Sequence, residues 1–292
     1  MQVVAFVNQK GGVGKTTVCR TLCSMLAKNG KKVLVIDLDP QQSLSLSVGV
    51  VEDRFDYQTP SIYNVLSEDM PIEQAILGMD EGYDIVRADN RLYSYTGEEI
   101  IKLDDIPNFA DDPTGLHNYI MNKYRRLTDP STDDKHKLRR QIERIAQYYD
   151  FVLCDTNPDL GWTLTSVLMS APVVNLIVPA FAEDSSREAI IALDKSIKTI
   201  MAHDLSQKIN ILGVLIARYE NNNLSKHYVD FLSQTAKAIG TSLFNTLIPK
   251  SVAVPEAMAF KDNLFEGRGG TILSQYTNFY NEFIERIEAV NS

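Results

Sequence analysis

Short apolar runs alternate with amphipathic stretches along most of the chain, and that alternation predicts the elements. Residues 3–7, rich in Val with one Phe, read as a buried strand, while residues 16–26 carry apolar side chains at helical spacing and stop at Asn29-Gly30. Val33, Leu34, Val35 and Ile36 form a second strand. Ile62, Val65 and Leu66 predict a helix, and Pro71 with Ile72, Ala75 and Ile76 predicts another. Residues 82–88 read as a strand, and residues 135–144 as a helix that turns Leu138, Ile142 and Ile145 inward and delivers the chain into the strand 151–154. Residues 173–178 are a further strand. Ser185 and Glu188 have the spacing of a capping box that opens a helix with Ile190, Leu193, Ile197 and Ile200 on one face. A strand at 211–216, a helix at 224–239 and a last helix at 272–290 complete the pattern. That last helix packs Tyr276, Tyr280, Phe283 and Ile287 on one side and is acidic on the other.

Strands alternating with helices specify an α/β fold, a mostly parallel sheet with helices on both faces. No internal repeat or low-complexity segment interrupts it. Between about residues 102 and 134 the chain turns polar and acidic, with Asp104-Asp105, Asp111-Asp112-Pro113 and Asp129-Pro130-Ser131 as breakers. This segment reads as a surface insertion, with a partner-binding element as the alternative. The length, 292 residues, allows one large domain or two small ones, and a single domain spanning 1–292 is the expectation.

Composition narrows the class. Hydrophobic residues make up 44% and charged residues 23%, ordinary values for a soluble globular protein. No run approaches the roughly 20 apolar residues of a membrane helix, and the N-terminus runs straight into a strand, so a cytoplasmic protein is expected. A net charge of −9 argues against a surface coated for nucleic acid, so any DNA contact must come from a local patch. Cys19, Cys23 and Cys154 lack metal-like spacing and read as buried thiols.

The candidate chemistry begins at Lys10-Gly11-Gly12-Val13-Gly14-Lys15-Thr16-Thr17, between the first strand and the first helix. Gly11, Gly12 and Gly14 have no Cβ, which lets backbone N–H groups close around a phosphate chain at the positive end of the helix. Lys15 would reach the β and γ phosphates, and the Thr16 hydroxyl would hold Mg²⁺. Asp37 and Asp39 follow the second strand, where one carboxylate can orient the attacking water while the other supports the metal shell. The strand 151–154 ends in Asp155, the Walker B arrangement that holds Mg²⁺ through water.

Gln9 stands where the general P-loop has a glycine, and Lys10 is an added lysine. This variant resembles the deviant Walker A motif of the ParA and MinD family of P-loop ATPases. The resemblance implies ATP and Mg²⁺ as ligands and an ATP-bound sandwich homodimer in which Lys10 crosses to the partner's nucleotide. It makes Asp39 the hydrolysis-critical carboxylate and Asp37 a supporting one. Thr156-Asn157-Pro158 resembles the family's switch II, with Asn157 where proline is more usual. Residues 248–252 resemble the segment bordering the adenine, which puts Pro249 and Ser251 near the base.

The family reading implies a DNA-partitioning ATPase: the ATP dimer binds nonspecific DNA, associates with the nucleoid, hydrolyses ATP slowly on its own, and is triggered to hydrolyse it by a ParB-like centromere-binding protein. Lys250 matches one of the family's basic DNA-contact positions, but Asn221, Asn222 and Asn223 stand where an arginine is common. Lys226, Lys237, Lys261 and Arg268 are the alternatives. The basic helix with Lys137, Arg139, Arg140 and Arg144 reads as a solvated face in preference to a DNA patch. Because the loop begins within about the first ten residues, an N-terminal helix-turn-helix domain and specific operator binding are not expected. A positioning ATPase for another cargo or a conjugation complex is the alternative function. A membrane-cycling protein like MinD fits less well, because Glu282, Glu285 and Glu288 are wrong for a basic amphipathic anchor.

Overall fold

Alternate residues of each central strand feed two separate cores. Val3, Ala5 and Val7 point to one side of the sheet, and Val4 and Phe6 to the other. Leu34, Ile36 and Leu38 against Val33 and Val35 repeat the pattern one strand away. A strand buried on both faces is the signature of a parallel sheet covered by helices.

The computed structural model describes residues 1–93, 136–158, 161–204, 206–251, 253, 256 and 270–291. In chain order the elements are β1 (Gln2–Phe6), α1 (Lys15–Lys28), β2 (Val33–Leu38), α2 (Ser43–Ser47), α3 (Ile62–Ser67), a 3₁₀ turn (Ile72–Gln74), β3 (Ile76–Gly78) and β4 (Asp84–Val86). They continue as α4 (Lys137–Ile145), β5 (Phe151–Thr156), α5 (Trp162–Leu168), β6 (Val173–Ala180), α6 (Asp184–His203), β7 (Lys208–Ile216), α7 (Asn223–Ala238) and α8 (Gly270–Asn291). The seven strands form one sheet in the order β3-β4-β2-β5-β1-β6-β7, parallel except for the edge strand β3. Helices α1 and α8 cover one face through Leu22, Leu26, Phe279 and Phe283. Helices α3 to α7 cover the other.

Two sequence expectations are corrected. The stretch after Pro71 is not a helix: it makes a single 3₁₀ turn and then β3, with Ile76 opposite Val86. The reason is the turn at 79–82, where Gly82 takes a left-handed φ of 85° and Met79 N–H donates to Tyr83 O, folding the chain back as a hairpin. The capping box at Ser185 is also absent, since α6 is capped at Glu183 without a side-chain bond and Ser185 lies in its first turn. The inward face of that helix, Ile190, Leu193, Ile197 and Ile200, is buried as the spacing requires. The short helices α2 and α5 had no periodic signal. The polar segment 102–134 lies outside the described residues.

All three cysteines are free and buried, and burial pushes the Cys154 thiol up to about 12. No described helix is long and apolar enough to cross a membrane.

Candidate nucleotide site

The loop between β1 and α1 is held at its start by Asn8, a residue that the sequence reading passed over. Its buried side chain donates to Pro179 O (2.7 Å) and accepts from the Lys10 N–H (2.9 Å), tying the loop to the end of β6. Gly12 and Gly14 adopt left-handed φ values of 75° and 92°, and a Cβ on Gly14 would come within 3.6 Å of Ala217 Cβ. Val13 is fully buried between them and fixes the loop to the core. Helix α1 begins at Lys15 with no side-chain cap and no acid in its first turn, leaving its first N–H groups for an external anion. Thr16 and Thr17 in that turn are half-buried.

Lys15 is buried, and its ammonium donates to Asn8 O (3.2 Å) and Lys10 O (3.4 Å). Burial lowers its pKa, while Asp155 and Asp39 pull it back up. The carboxylates come together because their strands are neighbours: Asp37 on β2 and Asp155 on β5 are register partners, and Asp155 also pairs with Phe6 of β1. Both Asp37 oxygens are taken. One accepts the Asp39 N–H (3.1 Å), the other the Ser45 N–H (2.9 Å) and hydroxyl (2.6 Å). Burial pushes Asp37 up to about 7 against those bonds. Asp39 accepts the Gln41 N–H (2.8 Å), and burial raises its pKa as well.

Asp155 differs. It is completely buried, and neither oxygen has a hydrogen-bond partner among the described residues. Burial first, and then the charge of Asp37, drive its pKa well up; the nearby Thr16 side chain and Lys15 oppose this without satisfying the oxygens. An orphaned buried carboxylate beside a threonine hydroxyl is a donor set suited to a hard divalent cation. Asn157, two residues on, is buried with an unpartnered Oδ1.

A cavity of about 720 Å³ adjoins this loop. Gly12, Gly14 and Thr17 line one end, Ile248, Pro249 and Ser251 line a wall, and Ile272 and Tyr276 of α8 complete it. The fold thus brings Pro249 and Ser251 to the same space as the glycine loop. Arg218, also unremarked in the sequence, stands at this cavity with a left-handed φ of 56°.

Lys10 reaches away from the loop. Its ammonium is ion-paired with Glu183, meets the Ser185 hydroxyl (2.7 Å), and lies 5.8 Å from the Phe181 ring centre. Lys250 lines the cavity and pairs with Glu220 (2.7 Å), whereas Lys226 and Lys237 are exposed on α7. Asn222 is the cap of α7, its side chain accepting from Ser225 N–H (2.8 Å), which gives one of the three asparagines a structural purpose. Lys261 and Arg268 lie outside the described residues. The basic helix α4 is neutralised locally, Arg139 by Glu143 and Arg144 by Glu73.

A glycine loop feeding an uncapped helix, a buried lysine, and carboxylates at the ends of the adjacent strands β2 and β5 define a P-loop nucleotide-binding protein. More particularly, the chain belongs to the AAA domain family, which matches residues 1–211. A chromosome-partitioning ATPase, Soj of Thermus thermophilus, is 29% identical over 257 residues, 88% of this chain and 84% of that protein. The fold is shared with Cyanothece apo McdA (TM-score 0.75, 18% identity, 98% of this chain and 99% of that one). It is shared as well with a Borrelia burgdorferi protein bound to AMPPNP (TM-score 0.71, 21% identity, 98% and 99%).

Proposed function

We propose that this chain is a Mg²⁺-dependent ATPase of the partition type, which uses ATP to switch between a monomer and a DNA-binding sandwich dimer. The observation that carries the reading is Asp155, a fully buried carboxylate whose two oxygens meet no hydrogen-bond geometry among the described residues, set in register with Asp37 and beside the lysine of the glycine loop. A buried anion of this kind is costly unless a cation joins it. The likeness to Soj supports the choice of ATP and of a positioning role.

In this reading the N–H groups of residues 11–16 bind the phosphate chain and Lys15 neutralises its distal end. Thr16 and Asp155 hold Mg²⁺, which when bound offsets phosphate charge and draws off the charge that develops on the leaving oxygen. Asp39, with one oxygen on Gln41 N–H and a raised pKa, orients and takes a proton from the attacking water. Asp37 is the positioning residue behind it: its bond to the Asp39 N–H and its two bonds to Ser45 fix the turn that carries Asp39. Lys10 exchanges Glu183 for the partner's nucleotide. Lys226, Lys237 and Lys250 contribute the DNA patch, and a ParB-like protein stimulates turnover.

A gel-shift assay on nonspecific DNA, with and without ATP at low salt, tests the proposal. ATP-dependent retardation is expected; DNA binding that ignores ATP, or none at all, would return the chain to the wider class of positioning ATPases for other cargo.

A further inference from the structure

The cavity beside the glycine loop has two chemically different ends. Gly12, Gly14 and Thr17 offer backbone and hydroxyl donors, while Ile248, Pro249, Ile272 and Tyr276 offer apolar surface. Between them runs the segment that leaves β7. Ala217 N–H donates to Ala180 O (2.8 Å), Tyr219 N–H donates to Ile248 O (2.8 Å), and Lys250 N–H donates back to Tyr219 O (3.0 Å). The backbone is therefore pinned on both sides of Arg218, and residue 218 takes the left-handed conformation that makes the corner. That conformation suits glycine, and a long side chain is retained here against the local preference.

What the side chain does is visible in its surroundings. The Arg218 guanidinium lies 5.0 Å from the centre of the Phe181 ring, the ring that also carries Lys10. Its five donors make no hydrogen bond to any described residue; its acidic neighbour Glu220 is paired with Lys250 and meets the Arg218 charge only through space. Phe181 supports the cation on one side, and Arg218 is one of the residues that line the cavity.

We propose that Arg218 is the purine-stacking residue of this site, its guanidinium carried by Phe181 and closing over a base held against Ile248 and Pro249. The assignment rests on the nucleotide reading above and adds to it the residue that grips the base. Guanidinium groups stack on aromatic planes, so Arg218 can rest on Phe181 with one face and meet a base with the other. Lysine, a point charge with no planar surface, replaces only part of that contact.

Calorimetric titration of the Mg²⁺-loaded wild type, Arg218→Ala and Arg218→Lys with ADP, and separately with pyrophosphate, tests this. Arg218→Ala is expected to weaken ADP by about five- to tenfold, to leave pyrophosphate affinity unchanged, and to keep the ligand-free melting temperature. Arg218→Lys is expected to recover only part of the ADP affinity. Equal loss for ADP and pyrophosphate would make Arg218 a phosphate ligand and overturn the stacking assignment, as would wild-type ADP affinity in Arg218→Ala. Failure of the wild type to bind ADP would instead remove the nucleotide reading itself.

Discussion

Asp37 on β2 and Asp155 on β5 sit opposite one another in a parallel ladder, both completely buried; the Asp37 oxygens are held by Asp39 and Ser45, whereas those of Asp155 meet no hydrogen-bond geometry among the described residues, with the Thr16 side chain nearest to offering one. Burial raises the pKa of both; the charge of Asp37 then pushes Asp155 further up, while Asp39 does the same to Asp37. Ser45 satisfies Asp37 from within the chain, so that carboxylate is structural in its contacts. Asp155 has no such satisfied position among the described residues, which is why the proposed cation is assigned to it and not to Asp37.

Lys15 is the nearby cation for Asp155 and Asp39 and caps the glycine loop through two carbonyls. Lys15→Ala should lower ATP affinity by about 100-fold or more, the loss of charge-assisted bonds to phosphate. Equilibrium titration with ATP checks it, and retained tight binding would refute the P-loop assignment.

Asp39→Ala should leave ATP binding intact and cut steady-state hydrolysis by about 100-fold or more, the scale of a general base. Phosphate release measured under saturating ATP decides. Normal turnover would move the water-positioning role elsewhere.

Ser45 carries a pH signature. Its hydroxyl and N–H hold the Asp37 pKa down against burial, so in Ser45→Ala that pKa, about 7 in the intact site, moves higher. A carboxyl whose folded pKa exceeds its unfolded one loses stability as pH rises from the unfolded value through the folded one. The variant should therefore cost about 1–3 kcal/mol at pH 8 and less at pH 5, by denaturant unfolding of the ligand-free protein. An equal cost at both values would show that Asp37 does not titrate in that window.

Glu183 holds Lys10 on its own chain through a partly exposed ion pair, a contact worth about 0–1 kcal/mol after solvent screening. If Lys10 must leave it to reach a partner's nucleotide, Glu183→Ala should shift ATP-dependent dimerisation to up to about fivefold lower protein concentration. Light scattering across a dilution series reads this directly. Lys10→Ala should abolish the dimer.

Arg286 of α8 clamps the strap that forms the cavity wall. It donates to Leu212 O, Leu243 O and the Ser242 hydroxyl, stacks 4.1 Å from the Phe244 ring centre, and pairs with Glu282, which in turn accepts the N–H groups of Asn245 and Thr246. Arg286→Ala should cost about 1–3 kcal/mol in thermal or denaturant unfolding, since two part-buried carbonyls lose a charged donor. It should also weaken nucleotide binding, because the strap carries Ile248 and Pro249. Unchanged stability would mean that the helix is held by its apolar face alone. Glu282, one of the acidic residues that told against a membrane anchor, thus has an internal partner.

The sequence by itself determined the elements whose burial is periodic and the loop whose chemistry is contiguous. Residues 3–7, 33–36 and 151–154 are apolar on both faces and so had to be central strands, and residues 10–17 carry their whole function in one run of chain. It misread residues 71–78, where a proline and apolar spacing mimic a helix that a distant pairing with β4 overrides. It missed Asn8, Phe181, Glu183, Arg218 and Ser45, none of which has a local pattern. Their roles come from neighbours distant in the chain, as in the Asn8 bond to Pro179, 171 residues apart. Only the tertiary structure decided which carboxylate is satisfied and which is orphaned, because hydrogen-bond partnership depends on where strands lie side by side and is not written in the order of residues along any one of them.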